Sequence, residues 1–227
     1  MQKIIITGFP HCGTTILKSI IGHIEDVEEI DDERTKAILY SKSTDKPYLM
    51  CKYPRADLKF FGEDYEDYIK IFIIRNPLFV FSSINKRFAN AIPRHQRVRP
   101  TIAKYISIVK RFINYRDNPE KDIYTIKYED LFKNEHQALK IILDDIGLNY
   151  DDTIFDNTKY TNVSHSGVKL PVKKPKDKDH EELRTWQINQ PFVSNNDISK
   201  IDLSEIQKQQ LVNDPHILDL YPDMEEL

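Results

Sequence analysis

The sequence predicts an α/β three-layer sandwich, a central parallel sheet with helices on both faces, and three observations carry that expectation. Residues 3–7 hold an unbroken apolar run, Ile4-Ile5-Ile6, closed by Gly8, which is the pattern of a short strand buried on both faces. Directly afterwards Ile16, Leu17, Ile20, Ile21 and Ile24 recur at helical spacing. The same alternation of strand and helix then continues down the chain, which calls for parallel strands joined by crossover helices.

Each later element has its own signal. Residues 48–52 and 69–74 read as two further strands. The second runs into Arg75-Asn76-Pro77, a helix start with Asn76 as N-cap and Pro77 at the first helical position, and the helix continues to about Phe88. Residues 101–115 predict another helix, 122–127 a strand, and 138–148 a helix with Gly147 at its stop signal. At 227 residues the chain suits one domain spanning 1–227. Two stretches break the pattern: 89–100, with Pro93, Arg94, His95, Arg97, Arg99 and Pro100, and 163–182, with five lysines between 169 and 178. Taken alone, both read as exposed, solvated loops without a ligand, and they are also candidates for loops on a substrate and cofactor side.

Composition narrows the function classes. A formal net charge of −3 argues against steering to nucleic acid. Two cysteines, Cys12 and Cys51, are too few for a disulfide framework and suit a reducing compartment. No secretory leader and no bilayer-spanning apolar stretch is apparent, so a cytoplasmic protein without a membrane partner is expected. The seven histidines show neither His-x-x-x-His nor His-Glu-x-x-His spacing, and no metal is expected.

The loop Gly8-Phe9-Pro10-His11-Cys12-Gly13-Thr14-Thr15 stands between the first strand and the first helix. Backbone amides of such a loop and of the following helix N-terminus make an anion site. Gly8 and Gly13 occupy the glycine positions of a Walker A motif, but Thr14-Thr15 replaces the required Lys-Ser/Thr. A cysteine phosphatase would need arginine six residues after Cys12, where the chain has Lys18, so Cys12 reads as a small loop filler. Arg75 stands at the carboxyl end of a strand, where open α/β sheets bind ligands, and Ser83 lies eight residues on in the next helix. Read singly, the loop could be a bare turn and Arg75 a sheet-edge cap.

Together these motifs resemble the sulfotransferases that use 3′-phosphoadenosine 5′-phosphosulfate (PAPS), whose fold is similar to that of P-loop nucleotide kinases. Pro10-His11-Cys12-Gly13-Thr14-Thr15 resembles their 5′-phosphosulfate loop, with His11 where the family carries Lys or Arg. Arg75 and Ser83 resemble the pair that holds the 3′-phosphate, a role suited to arginine's bidentate geometry. Tyr128-Glu129-Asp130-Leu131 matches a family strand end, which implies Tyr128 against the adenine and Asp130 as a helix cap. In outline the chain is closest to the tyrosylprotein-type and bacterial members.

The resemblance implies sulfuryl transfer from PAPS, with PAP as product, to a hydroxyl or amine of a small-molecule, saccharide or peptide acceptor. Lys52, at a predicted strand end, corresponds to the lysine acting on the bridging oxygen, and His11 joins it as a candidate catalytic group. Aligning Arg34 after the acidic run 25–33 implies a carboxylate base at Asp32 or Glu33, since Pro54 stands where cytosolic-type members carry a histidine. Arg184, Trp186 and Lys200 are candidates to close over the nucleotide. A P-loop kinase and a nucleotide-binding protein without catalysis are the competing readings.

Overall fold

The computed structural model describes residues 1–30, 44–54, 65–89, 100–156, 194 and 196–226. Its strands are β1 (Gln2–Gly8), β2 (Val27–Glu29), β3 (Tyr48–Tyr53), β4 (Tyr68–Ile74) and β5 (Ile123–Lys127). Its helices are α1 (Thr14–Ile21), α2 (Pro77–Ala89), α3 (Ile102–Asp117), α4 (Gln137–Ile146), α5 (Glu205–Val212) and α6 (Pro215–Leu220). The strands form one sheet in the order β2-β3-β1-β4-β5, and every neighbouring pair is parallel.

Alternation along the strands sorts the side chains into two layers. Ile4, Ile6, Ile69, Ile71 and Ile73 face one way and pack against α1 (Leu17, Ile20, Ile21) and α4 (Leu139, Ile142, Leu143, Ile146). Phe72 and Ile74 face the other way, into α2, α3, α5 and α6, where Phe81, Tyr105, Val109, Leu211 and Ile217 are buried. Both faces of β1 and β4 are covered, which is why Ile4-Ile5-Ile6 and Ile71-Phe72-Ile73-Ile74 are continuous apolar runs rather than alternating ones, although β4 also buries Lys70.

The helix termini follow the chemistry of their flanking residues. Asn76 Oδ1 accepts from Leu78 N at 3.0 Å, so it caps α2 ahead of Pro77 as expected. Gly147 ends α4 in the left-handed conformation at φ 82°. Ser204 and Gln207 form a reciprocal capping box at the start of α5, and Asp214 caps α6 ahead of Pro215. Asp130 does not cap the following helix: its carboxylate pairs with Lys133 at 3.2 Å, and His136 precedes α4 without a side-chain cap. The edge strand β2 lies inside the acidic run and has no strong sequence signal, since only Val27 of its three residues is buried.

Gly8 is where β1 and β4 come closest. A Cβ there would stand inside the van der Waals shell of the Ile73 carbonyl oxygen, a backbone atom that cannot swing aside. Gly8→Ala is therefore expected to lower stability by about 2–3 kcal/mol, the scale of an overpacked core, as measured by urea denaturation. A loss under 0.5 kcal/mol would show that the two strands can part freely.

Candidate active site

The loop after β1 is built from the backbone outward. Cys12 N donates to Phe9 O at 3.1 Å, closing a turn, and His11 and Gly13 both take positive φ, 70° and 97°. Phe9 anchors the turn edge-on against Tyr105, with ring centroids 5.1 Å apart. Gly13 precedes α1 and supplies no side-chain cap, so the first-turn amides of that helix keep their partial positive charge next to the loop. A side chain at Gly13 would meet the Tyr128 ring at 2.5 Å, so glycine is required for that ring to pack there as well as for the φ.

Cys12 is fully buried, and that burial pushes its thiol up to about 12. It is a space-filling residue, not a nucleophile. Lys18, at the position a phosphatase would give to its arginine, instead pairs with Glu29 at 2.5 Å.

Two cations border the loop from neighbouring strands. Lys52, the penultimate residue of β3, is in register with Ile6 of β1, is 6% exposed, and donates from Nζ to Thr15 Oγ1 at 2.6 Å. Arg75 leaves β4 on the other side of β1 and is 8% exposed. Its guanidinium lies over the Tyr128 ring, 4.3 Å from the centroid, and near Phe79 at 5.6 Å. Nε and Nη2 both donate to Asn196 Oδ1, at 3.1 and 2.9 Å, and Nη1 makes a long 3.5 Å contact with His11 O. The Arg75 carbonyl accepts from Tyr105 OH at 2.5 Å, and burial holds that phenol well above its ordinary range, so it stays a donor.

His11 and Ser83 meet: Nδ1 of the imidazole lies 2.8 Å from Ser83 Oγ. The candidate phosphosulfate loop and the candidate 3′-phosphate pair are therefore one continuous site. Of the residues expected from sequence, Pro10 through Thr15, Lys52, Arg75, Ser83 and Tyr128 are brought together. Tyr128 is only 1% exposed, packed under Gly13 and Arg75, so its ring has no open face for an adenine in this structure.

The Lys200 side chain is mostly exposed and pairs with Asp197 at 2.7 Å. The Lys200 main chain is what reaches the site: Ser82 and Lys86 donate to its carbonyl, and Asp202 N donates to Ser82 Oγ at 2.8 Å. Asp32, Glu33, Arg184 and Trp186 lie outside the described residues, as do 90–99 and 163–182.

Two residues of the site were not singled out in the sequence. Glu129 accepts from Asn76 N at 2.9 Å, from Asn196 Nδ2 at 3.2 Å and from Tyr221 OH at 3.4 Å. Asn196 joins Glu129 to Arg75. The Tyr-Glu-Asp-Leu string marked Glu129 as a position, but nothing in residues 194–197 shows that the chain returns to Arg75 there. Among the described residues no cluster of His, Cys, Asp or Glu could hold a metal ion, and no helix is long and apolar enough to cross a membrane.

A nucleotide-type anion site at the carboxyl ends of β1, β3 and β4 is thus the class of site that this fold defines. The family model for a sulfotransferase domain matches residues 1–204, and the chain belongs to that family. Its fold is similar to that of the mouse sulfotransferase SULT7A1 complexed with PAP, with a TM-score of 0.61 and 14% identity over 100% of this chain and 89% of that one. The sulfotransferase domain from the curacin biosynthetic pathway follows at 0.51 and 12%, covering 99% of this chain and 97% of the other. Retinol dehydratase in complex with androsterone and inactive cofactor PAP matches at 0.50 and 11%, covering 71% and 67%. No curated protein matches the chain in sequence.

The buried Cys12 gives a direct check on the loop. Native protein at pH 8.5 should be alkylated at Cys12 at least two orders of magnitude more slowly than urea-unfolded protein, read by peptide mass spectrometry. The folded form holds this proton more tightly, so the contribution to stability is full below the ordinary thiol range near 8.5 and is lost as pH rises towards about 12. Rapid alkylation of the folded chain would show an open loop.

Proposed function

We propose that the chain transfers a sulfuryl group from PAPS to a hydroxyl or amine acceptor. The observation that carries this reading is the placement of Lys52 and of the Arg75–Ser83–His11 group on opposite sides of one glycine loop. A ligand with separated anionic groups, one on the loop and α1 and another at Arg75, fits that arrangement. A simple 5′-nucleotide would leave the Arg75 side unused. The mouse sulfotransferase SULT7A1 and retinol dehydratase, both similar in fold, are complexed with PAP, which points the same way.

PAPS would supply the sulfuryl group and leave as PAP. The first-turn amides of α1, with Thr14 and Thr15, would hold the 5′-phosphate end. Arg75 and Ser83 would hold the 3′-phosphate, and His11 lies between the two regions. Lys52, already aimed at Thr15 Oγ1, is placed to offset negative charge developing on the bridging oxygen. Tyr128 supports the Arg75 guanidinium from below.

Asp32 or Glu33 is our candidate for the base that takes the acceptor's proton, on the strength of the family resemblance. The chemistry needs positioning, one cation and one base, and no step requires a metal. The acceptor is a small molecule, saccharide or peptide bearing that hydroxyl or amine.

PAP should raise the melting temperature in a thermal-shift assay, and more than ATP–Mg²⁺ does. Stabilisation by ATP–Mg²⁺ alone would overturn the reading in favour of a kinase. Arg75→Ala should weaken PAP binding on the order of 10- to 100-fold, the scale of losing hydrogen bonds to a charged group, with little effect on adenosine 5′-phosphosulfate. With an acceptor found by mass-spectrometric product screening, Lys52→Ala should reduce kcat on the order of 100-fold or more. PAP binding without transfer to any acceptor in a broad panel would leave a nucleotide-binding protein.

A further inference from the structure

From the geometry around Arg75 we infer that Asn196 is a positioning and specificity-determining residue: its neutral amide keeps the Arg75 guanidinium set for a 3′-phosphate while separating it from Glu129. This rests on the assignment of Arg75 to the 3′-phosphate. Asn196 Oδ1 accepts from both Nε and Nη2, the lateral edge of the guanidinium, and Asn196 Nδ2 donates to Glu129 Oε1 at 3.2 Å. These partners fix the amide's orientation, since the opposite flip would set an NH₂ against a cation and an oxygen against a carboxylate.

The choice of an amide matters chemically. A carboxylate at this place would form a bidentate charge-assisted pair with the same two donors, the strongest common partner for arginine, and would compete with an incoming phosphate. An amide supplies the same acceptor geometry without the charge. Asn196 bridges Glu129 and Arg75, and Glu129 also accepts from Asn76 N at 2.9 Å and Tyr221 OH at 3.4 Å. Orientation is completed by the Tyr128 ring below the guanidinium.

Asn196 also comes from a segment fastened to the same helix as Ser83. Ser82 Oγ donates to the Lys200 carbonyl at 3.2 Å, and Asn85 Nδ2 donates to Asp202 O at 2.8 Å. The segment that orients Arg75 is therefore held to the helix that presents Ser83, and the two 3′-phosphate ligands share one support.

The test compares binding of PAP and of 5′-AMP, which lacks the 3′-phosphate, by titration calorimetry on the full chain. Wild type should prefer PAP by about tenfold or more. Asn196→Asp should lose about tenfold or more of PAP affinity with AMP affinity unchanged, collapsing the ratio. Asn196→Ala should lose about three- to tenfold of PAP affinity, again sparing AMP. This second variant keeps the test open if the aspartate variant does not fold, which its melting curve reports. An unchanged PAP/AMP ratio in a folded variant, or equal losses for both ligands, would overturn the inference and make Asn196 a structural tether. No wild-type preference for PAP would overturn the Arg75 assignment instead, and the inference with it.

Discussion

The pairing of β1 with β4 at Gly8 is the constraint on which the site depends. Only a residue without Cβ lets the end of β1 lie against the Ile73 carbonyl, and this closeness brings the loop after β1 beside the loop after β4. With β3 on the other flank of β1, three strand ends converge around one turn. Lys52, His11 and Arg75 are distant in sequence yet are delivered to neighbouring positions by register alone. Open parallel sheets place ligands at their carboxyl ends for this reason: the strands fix the spacing, and the loops are free to supply the chemistry.

Burying a guanidinium is costly unless its donors are satisfied, and among the described residues Arg75 has neutral acceptors that meet part of that cost. An amide oxygen, a carbonyl and an aromatic face surround Arg75, while the Glu129 carboxylate is held one residue further away. The Asn196 amide and the His11 carbonyl orient the group without carrying a charge of their own. Cys12 shows the complementary case, since complete burial beside this site keeps it a thiol and removes it from the chemistry.

The sheet was legible because its central strands are buried on both faces, so continuous apolar runs at 4–6 and 71–74 stand out without any knowledge of the partners. The capping residues Asn76 and Gly147 marked helix ends for local reasons that hold in any fold. β2 was hidden because an edge strand of three residues, two of them glutamate, lacks both alternation and an apolar run. Lys52, Arg75 and Ser83 could be named from their places at strand ends and by family resemblance. Asn196 could not be, because its role comes from a contact 121 residues away in sequence and asparagine has no positional signature. Tyr128 was recognised as a position but assigned by analogy to the adenine, whereas its burial makes it a support for Arg75 and Gly13.

His11 shows how one substitution in a phosphate loop changes the basis of the site. A lysine or arginine there would contribute a fixed charge at the end of a long, mobile stem. The imidazole Nδ1 instead sits close to its own backbone and reaches Ser83 Oγ at 2.8 Å, a contact suited to a short side chain. Histidine is also among the residues that tolerate the left-handed φ of 70° adopted here. The consequence is coupling: the residue that shapes the loop after β1 also orients the hydroxyl presented by α2, and its carbonyl faces Arg75. The two halves of the candidate site are joined through one side chain. Among the described residues, Lys52 and Arg75 are cations that the sheet itself holds beside this loop.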